Sequence, residues 1–375
     1  MNERLSEAEF RNKVTWFSFL FSLLVVWVHS YNAELYLGLT MDMARIYRIE
    51  HFIGDGIGQI AVPGFFMISG YLFYRGFTWD QLKSKWMRRI RSVLVPFILW
   101  NTIYYLGYVI GSRLPWMTDV VGKGVVGFTL PALVDAVLHY TYNYVFWYLY
   151  QLILLILLAP VLYPVLKCRW SRIALLGGLW ILVALDLDLP IINEDALIYY
   201  GTAASLALEA AGVRTGGNRM SRGGSIEFGG STESDRNTEA RGILESRGTM
   251  KTALAGAALV AASVAVYQFS LWQAFIPGFI LCRLLAVMGL WILVPGQLLP
   301  PPKEFMCHNF FLYATHFGFV RFINKAGAFT LQATWWEPLA LYLLMPVLVL
   351  IISTLLGKIL RKMTPTFWNI LNGYR

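Results

Sequence analysis

The sequence predicts an all-α protein, a polytopic membrane bundle of about ten transmembrane helices with both termini cytoplasmic. Three observations lead there. Hydrophobic residues make up 57% of the 375 and charged residues 14%, whereas a soluble domain carries roughly 45–50% and about 25%. The apolar residues come in runs of about twenty, the number that about 30 Å of hydrocarbon demands at 1.5 Å rise per residue. The basic residues of this +9 chain gather on alternate connections between those runs. That is the sign of membrane orientation, not of a nucleic-acid footprint.

The runs lie at about 15–34, 56–76, 92–112, 144–166, 172–189, 195–211, 251–269, 271–294, 306–323 and 336–360. The first follows a stretch of mixed charge and lacks a small-x-small cleavage pattern, so it is expected to stay as a helix. The seventh and eighth nearly touch, and Pro277 is a candidate start for the eighth. With the N-terminus inside, the inner connections hold Arg4, Arg11 and Lys13, then Lys83, Lys85, Arg88, Arg89 and Arg91. They continue with Lys167, Arg169 and Arg172, the arginines of 214–247, Lys303, and finally Arg361, Lys362 and Arg375. The outer ones hold only Arg45, Arg48, Arg113, Lys123 and Lys325. Lysine and arginine in excess on one side fix that side as cytoplasmic.

The whole of 1–375 is expected to form one membrane domain. Residues 212–249, rich in Gly, Arg, Ser and Glu, are too polar to bury a core and are expected as a flexible cytoplasmic loop. Their RGG element resembles RNA-contacting tails, but Phe228 is the one aromatic residue there to stack on a base, and a solvated linker is the plainer reading. No internal repeat is evident, which disfavours an inverted-repeat transporter. Cys168, Cys282 and Cys307 are scattered without a CxxC pair, so neither a metal site nor a disulfide framework is expected.

Polar residues inside the runs are the candidates for chemistry, because hydrocarbon makes them costly unless paired or facing a cavity. His29 lies in the first run; His takes a proton readily near neutral pH, though Ser30, Tyr31 or Asn32 could instead satisfy it structurally. His316 lies in the ninth run and Arg283 in the eighth. Asp55 opens the second, and Ser69 and Gly70 lie in its middle, where small residues let helices approach closely. Asp55, Ser69, Arg283 and His316 are the candidate lining of a substrate cavity. Lys85, Arg88, Arg89 and Arg91 precede the third run; Lys85, Arg88 and Arg91 share a face if that helix extends inward. The cluster either sets topology or clamps the phosphates of a cytoplasmic donor. His51 and His139 fall in outer loops, where water satisfies them, and His308 at the inner start of the ninth helix. Asp186, Asp188, Glu194 and Asp195 mark an exposed turn.

Five pieces, VVWVHS, VPGFFMISGYLFYR, KWMRRIRSVLVPFILW, FWYLYQLILLILLAPVL and FFLYATHFGFV, stand in an order that resembles the acyltransferase-3 family of bacterial membrane O-acyltransferases. The resemblance covers nearly the whole chain and implies ten helices with both ends inside. It implies a cytoplasmic acyl-coenzyme A donor, usually acetyl-coenzyme A, with no tightly bound cofactor. The acceptor it implies is a hydroxyl on a cell-surface glycan or similar molecule, and the location is the bacterial cytoplasmic membrane. It gives His29 the family's essential histidine, as general base or transient acyl carrier, and it matches Arg88, Arg89 and Arg91 to the family's inner basic run. One position departs: Ser18 stands where the family commonly has an arginine, eleven residues ahead of that histidine. Two rivals follow from the same residues. One is a transporter or flippase whose path is lined by His29, Arg283 and His316, with Glu209 as its sole deep acid. The other is a non-catalytic relative that keeps the fold.

Overall fold

Alternating charge and long apolar runs leave the backbone one way to satisfy its hydrogen bonds in lipid, and it takes it: every regular element among the described residues is a helix, with no strand. A computed structural model describes residues 6–115, 117–220, 234–330, 334 and 336–374. The helices are α1 (Glu7–Val28), α2 (Ala33–Leu37), α3 (Met41–His51), α4 (Ala61–Tyr74), α5 (Leu82–Arg89), α6 (Val95–Gly111), α7 (Thr118–Val121), α8 (Leu130–Leu138) and α9 (Trp147–Leu157). They continue as α10 (Ala159–Lys167), α11 (Arg169–Ala184), α12 (Glu194–Met220), α13 (Ser234–Gln273), α14 (Ile276–Leu293), α15 (Glu304–Cys307), α16 (Asn309–Thr330), α17 (Trp336–Met363) and α18 (Pro365–Leu371). Short π-helical turns at Phe52–Ile57 and Ile90–Leu94 lead into the second and third long helices.

Local chemistry sets the starts. Ser6 and Glu9 form a capping box ahead of α1: the Ser6 N–H donates to the Glu9 carboxylate at 2.7 Å, and the Glu9 N–H to Ser6 Oγ at 3.2 Å. Thr40 and Thr129 cap α3 and α8 in the same way from one side. Pro277 sits in the first turn of α14, two residues past the break after Gln273, so the seventh and eighth runs separate where the proline foretold.

Among the described residues, six stretches are long and apolar enough to cross a bilayer: Glu7–Leu37, Met41–Tyr74, Trp79–Gly111, Met250–Gln273, Ile276–Leu293 and Trp336–Met363. Tyr144–Leu157 with Ala159–Lys167 makes a seventh if the pair is one broken span. The other expected spans fall on α11, the first part of α12, and α16. In α16 the shortfall has a visible cause, since His316, Arg321, Asn324 and Lys325 interrupt its apolar sequence. Of the expected loop 212–249, residues 212–220 continue α12 and 234–249 open α13, while 221–233 lie outside the described residues. The run TEARGILESR supplies Glu, Ala, Arg and Leu, which favour helix.

The chain divides into two compact units. The first holds residues 1–14, 66–78 and 159–301. Its close approaches are made by glycine: a Cβ on Gly70 would collide with the Tyr200 carbonyl oxygen and lie 3.2 Å from Tyr200 Cα. A Cβ on Gly256 would lie 2.7 Å from Leu293 N, and one on Gly289 2.9 Å from Val260 N, so α13 and α14 touch backbone to backbone. Lys13, expected on an inner connection, is instead buried here, donating to the Trp291 carbonyl at 2.5 Å with its ammonium 4.5 Å over that indole. The second unit holds 15–65, 79–158 and 302–375. Its core joins Phe19 and Val26 to Met306, Leu312, Val320, Met345 and Val349.

Candidate active site

Within the second unit, α1 ends at Val28 and the next residue turns out of the helix, the His29 N–H bonding back to the Val26 carbonyl at 3.1 Å. The half-buried imidazole therefore stands at a helix end, where the backbone leaves room around it. Tyr144, in the turn leading into α9, brings its hydroxyl to 3.1 Å from His29 Nδ1, with the two rings edge to face at 5.7 Å. From α16 come His316, its ring 5.3 Å from that of His29, and Phe317 at 6.1 Å. Phe317 also packs edge-on to Tyr144 at 4.7 Å. Tyr313 fixes these parts together, because its hydroxyl donates to the Val145 carbonyl at 2.7 Å. Two of the predicted residues, His29 and His316, are thus brought side by side across 287 positions of sequence.

The chain just after His29 is clamped. Glu50, 1% exposed, accepts from the N–H groups of Asn32 (3.1 Å) and Ala33 (3.3 Å), and its own carbonyl accepts from the Tyr342 hydroxyl at 2.9 Å. Tyr31 donates to Asp55 at 2.7 Å, and His51 bonds the other Asp55 oxygen. The Tyr31 and His51 rings stack at 4.4 Å with only 3° between their planes. Asp55 therefore serves this latch. His51, expected in a watered loop, closes α3 and joins the stack. A Cβ at Gly54 would sit 2.7 Å from Tyr31 Cζ, so only glycine lets the π-turn pass the ring. His139 caps the end of α8, where it and Thr141 bond Asp135 at 2.9 and 2.6 Å and hold that carboxyl below its usual range, Thr141 contributing most.

Beside the ring cluster is a largely apolar cavity of about 460 Å³, lined by Tyr104, Gly107, Tyr108, Met117, Phe317 and Arg321 among others. Arg321 donates to the Tyr108 hydroxyl at 3.0 Å, and its guanidinium lies 5.7 Å from the Phe317 ring. Arg321 and Tyr144 escaped the sequence reading for different reasons. Arg321 is a charge deep in an apolar run, the same signal that singled out Arg283, and it could have been found. Tyr144 reads as one more interfacial aromatic, and nothing local ties it to His29.

The basic residues before α6 keep a different face from the one expected. Lys85 is 9% exposed and Arg89, four residues on, is half-buried, while Arg88 and Arg91 are exposed. Trp86 anchors α5 through its indole N–H to the Ile156 carbonyl at 2.9 Å. The wider π-helical turn at Ile90–Leu94 shifts the register that a straight α-helix assigns. Ser69 and Arg283 belong to the first unit. There Arg283 acts electrostatically on Tyr199 and Asp195, so the intramembrane cation has an acid within range.

No curated protein and no solved structure matches the chain significantly. A family model described as an acyltransferase domain matches residues 13–358, and with nearly its whole length inside that match the chain belongs to the acyltransferase-3 family, as a multi-pass membrane acyltransferase.

Proposed function

We propose that the protein moves an acyl group, in the simplest case acetyl, from cytoplasmic acyl-coenzyme A to a hydroxyl of an acceptor outside the bacterial cytoplasmic membrane, a cell-surface sugar. The observation that carries the reading is the setting of His29, whose Nδ1 is oriented by Tyr144 while its Nε2 has no partner among the described residues. In the tautomer whose Nδ1–H donates to the phenol oxygen, Nε2 presents its lone pair. That nitrogen takes the proton of the acceptor hydroxyl as its oxygen adds to the thioester carbonyl. The carbon–sulfur bond breaks, and the departing thiolate takes the proton from the imidazolium. An ester and coenzyme A leave, and His29 is restored.

In this reading ten helices cross the bilayer with both ends cytoplasmic, and α5 faces the donor. Arg88 and Arg91, the exposed members of the basic cluster, meet the donor's phosphates. Charge-assisted contacts are worth about 1.5–3 kcal/mol each, so neutralising both is expected to weaken coenzyme A binding about 10²-fold or more. Calorimetry in detergent checks it, and unchanged affinity would leave the cluster only a topological role. Topology has its own test. Cysteines placed within Gly217–Arg247 of a chain lacking its three native ones are expected to react with a membrane-impermeant maleimide only after the membrane is opened.

Tyr144→Phe keeps the ring and removes the hydroxyl, and kcat is expected to fall about fivefold, the worth of one hydrogen bond at about 1 kcal/mol. Purified protein in nanodiscs, given acetyl-coenzyme A labelled in the acetyl group, tests the whole reading. Label in an acceptor with matching release of free thiol supports it. Substrate crossing a proteoliposome membrane without thiol release would assign the chain to carriers instead.

A further inference from the structure

The proton chemistry just described makes no use of the second imidazole. His316 is 0% exposed in the middle of α16. Its Nδ1 bonds the Tyr313 carbonyl one turn back. A carbonyl oxygen only accepts, so in the neutral ring this bond places the proton on Nδ1 and leaves Nε2 with its lone pair. That atom is buried and receives no hydrogen bond. A buried acceptor left without a donor is destabilising, and α16, which already buries its own Phe310, Phe311 and Phe317, could have carried another apolar ring at this position. The orphaned nitrogen stands in the cluster that holds His29, ring to ring at 5.3 Å with 39° between the planes.

We propose that His316 is an acceptor-binding residue: its Nε2 accepts a hydrogen bond from a hydroxyl adjacent to the one that His29 deprotonates, so the site reads a 1,2- or 1,3-diol rather than an isolated alcohol. The inference rests on the acyl-transfer reading and narrows its acceptor. Two imidazoles at this separation offer two nitrogen lone pairs to neighbouring oxygens of one molecule. Of the two, one removes a proton and the other holds. An acceptor lacking the second hydroxyl leaves Nε2 without a donor, and so gains nothing there.

The test uses the full chain in nanodiscs, with acetyl-coenzyme A as donor and propane-1,2-diol, propane-1,3-diol or propan-1-ol as acceptor, reading thiol release and acetyl ester. The parent is expected to favour a diol over the mono-alcohol about tenfold in kcat/KM. In His316→Asn, whose side-chain amide can keep the Tyr313 bond but ends short of Nε2, the ratio is expected to fall to about one. His316→Gln gives up the Tyr313 bond and restores an acceptor oxygen near the place of Nε2, and is expected to recover most of the ratio. A purely structural histidine predicts the reverse order, with Asn the better substitute. A parent that shows no diol preference overturns the inference even if a variant fails to fold, as does a preference that survives in His316→Asn. A parent that releases no thiol with any acceptor overturns the acyl-coenzyme A reading, and this inference falls with it.

Discussion

His29→Ala is expected to lower acyl transfer by about 10²–10⁴-fold, the contribution of a positioned general base, while the protein inserts and folds as before. The structure separates the two effects. His29 lies beyond the last residue of α1 and accepts no helix-stabilising role from its side chain, whose partners are the Tyr144 hydroxyl and the rings of His316 and Phe317. Truncation therefore leaves a half-open gap rather than a sealed cavity, and the penalty on stability is small. The same half-exposed setting admits a replacement base: imidazole at millimolar concentration is expected to restore part of the activity of the alanine variant. The measurements are thiol release and thermal midpoint in the same detergent. A loss below about tenfold with a normal midpoint would remove His29 from the base role.

The second large effect lies in the first unit. Gly289→Leu is expected to lower the thermal midpoint far more than leucine at Gly177 or Gly178. A Cβ at Gly289 meets Val260 N at 2.9 Å and the Gly256 carbonyl at 3.0 Å, and backbone atoms cannot swing aside; at Gly177 and Gly178 a Cβ meets nothing within 4 Å. Overpacking of this kind costs about 1–3 kcal/mol and at times more. In lipid no hydrophobic gain compensates, because helix association there rests on close packing. Gly256→Leu should behave likewise, since its Cβ meets Leu293 N at 2.7 Å and Leu293 Cα at 2.9 Å. Equal midpoints for the α14 and α11 variants would show that the glycine contact carries no stability.

These two sites show what a sequence discloses. His29 and His316 were legible because a histidine in an apolar run must have a reason to be there. Their adjacency was not, since it depends on how α16 docks beside the end of α1. Ser69 and Gly70 read as a packing point, and Gly70 does pass close to Tyr200; glycines 256 and 289 carry the same signal but are hidden within a small-residue run. Asp55 was noticed for its charge, yet its partners Tyr31 and His51 come from elements whose stacking no spacing rule anticipates. The basic cluster was legible in composition, but its face was not: Lys85 and Arg88 already part within α5, one buried and one exposed, and the π-helical turn that follows shifts the register of Arg91.

The latch behind His29 has a consequence for transplanting parts between relatives. The imidazole sits outside the regular helix, so its aim is set by the chain that follows it, held by the Glu50 carboxylate and by the Tyr31–Asp55–His51 array. A chimera that exchanges α1 together with His29, but keeps the host's own residues from position 30 onward, would part the histidine from the groups that point it. Residues 15–60 carry the histidine together with its backbone latch, leaving Tyr144 and Tyr342 to be matched by the host, and chimeras with junctions inside that stretch are expected to insert normally and yet stay silent.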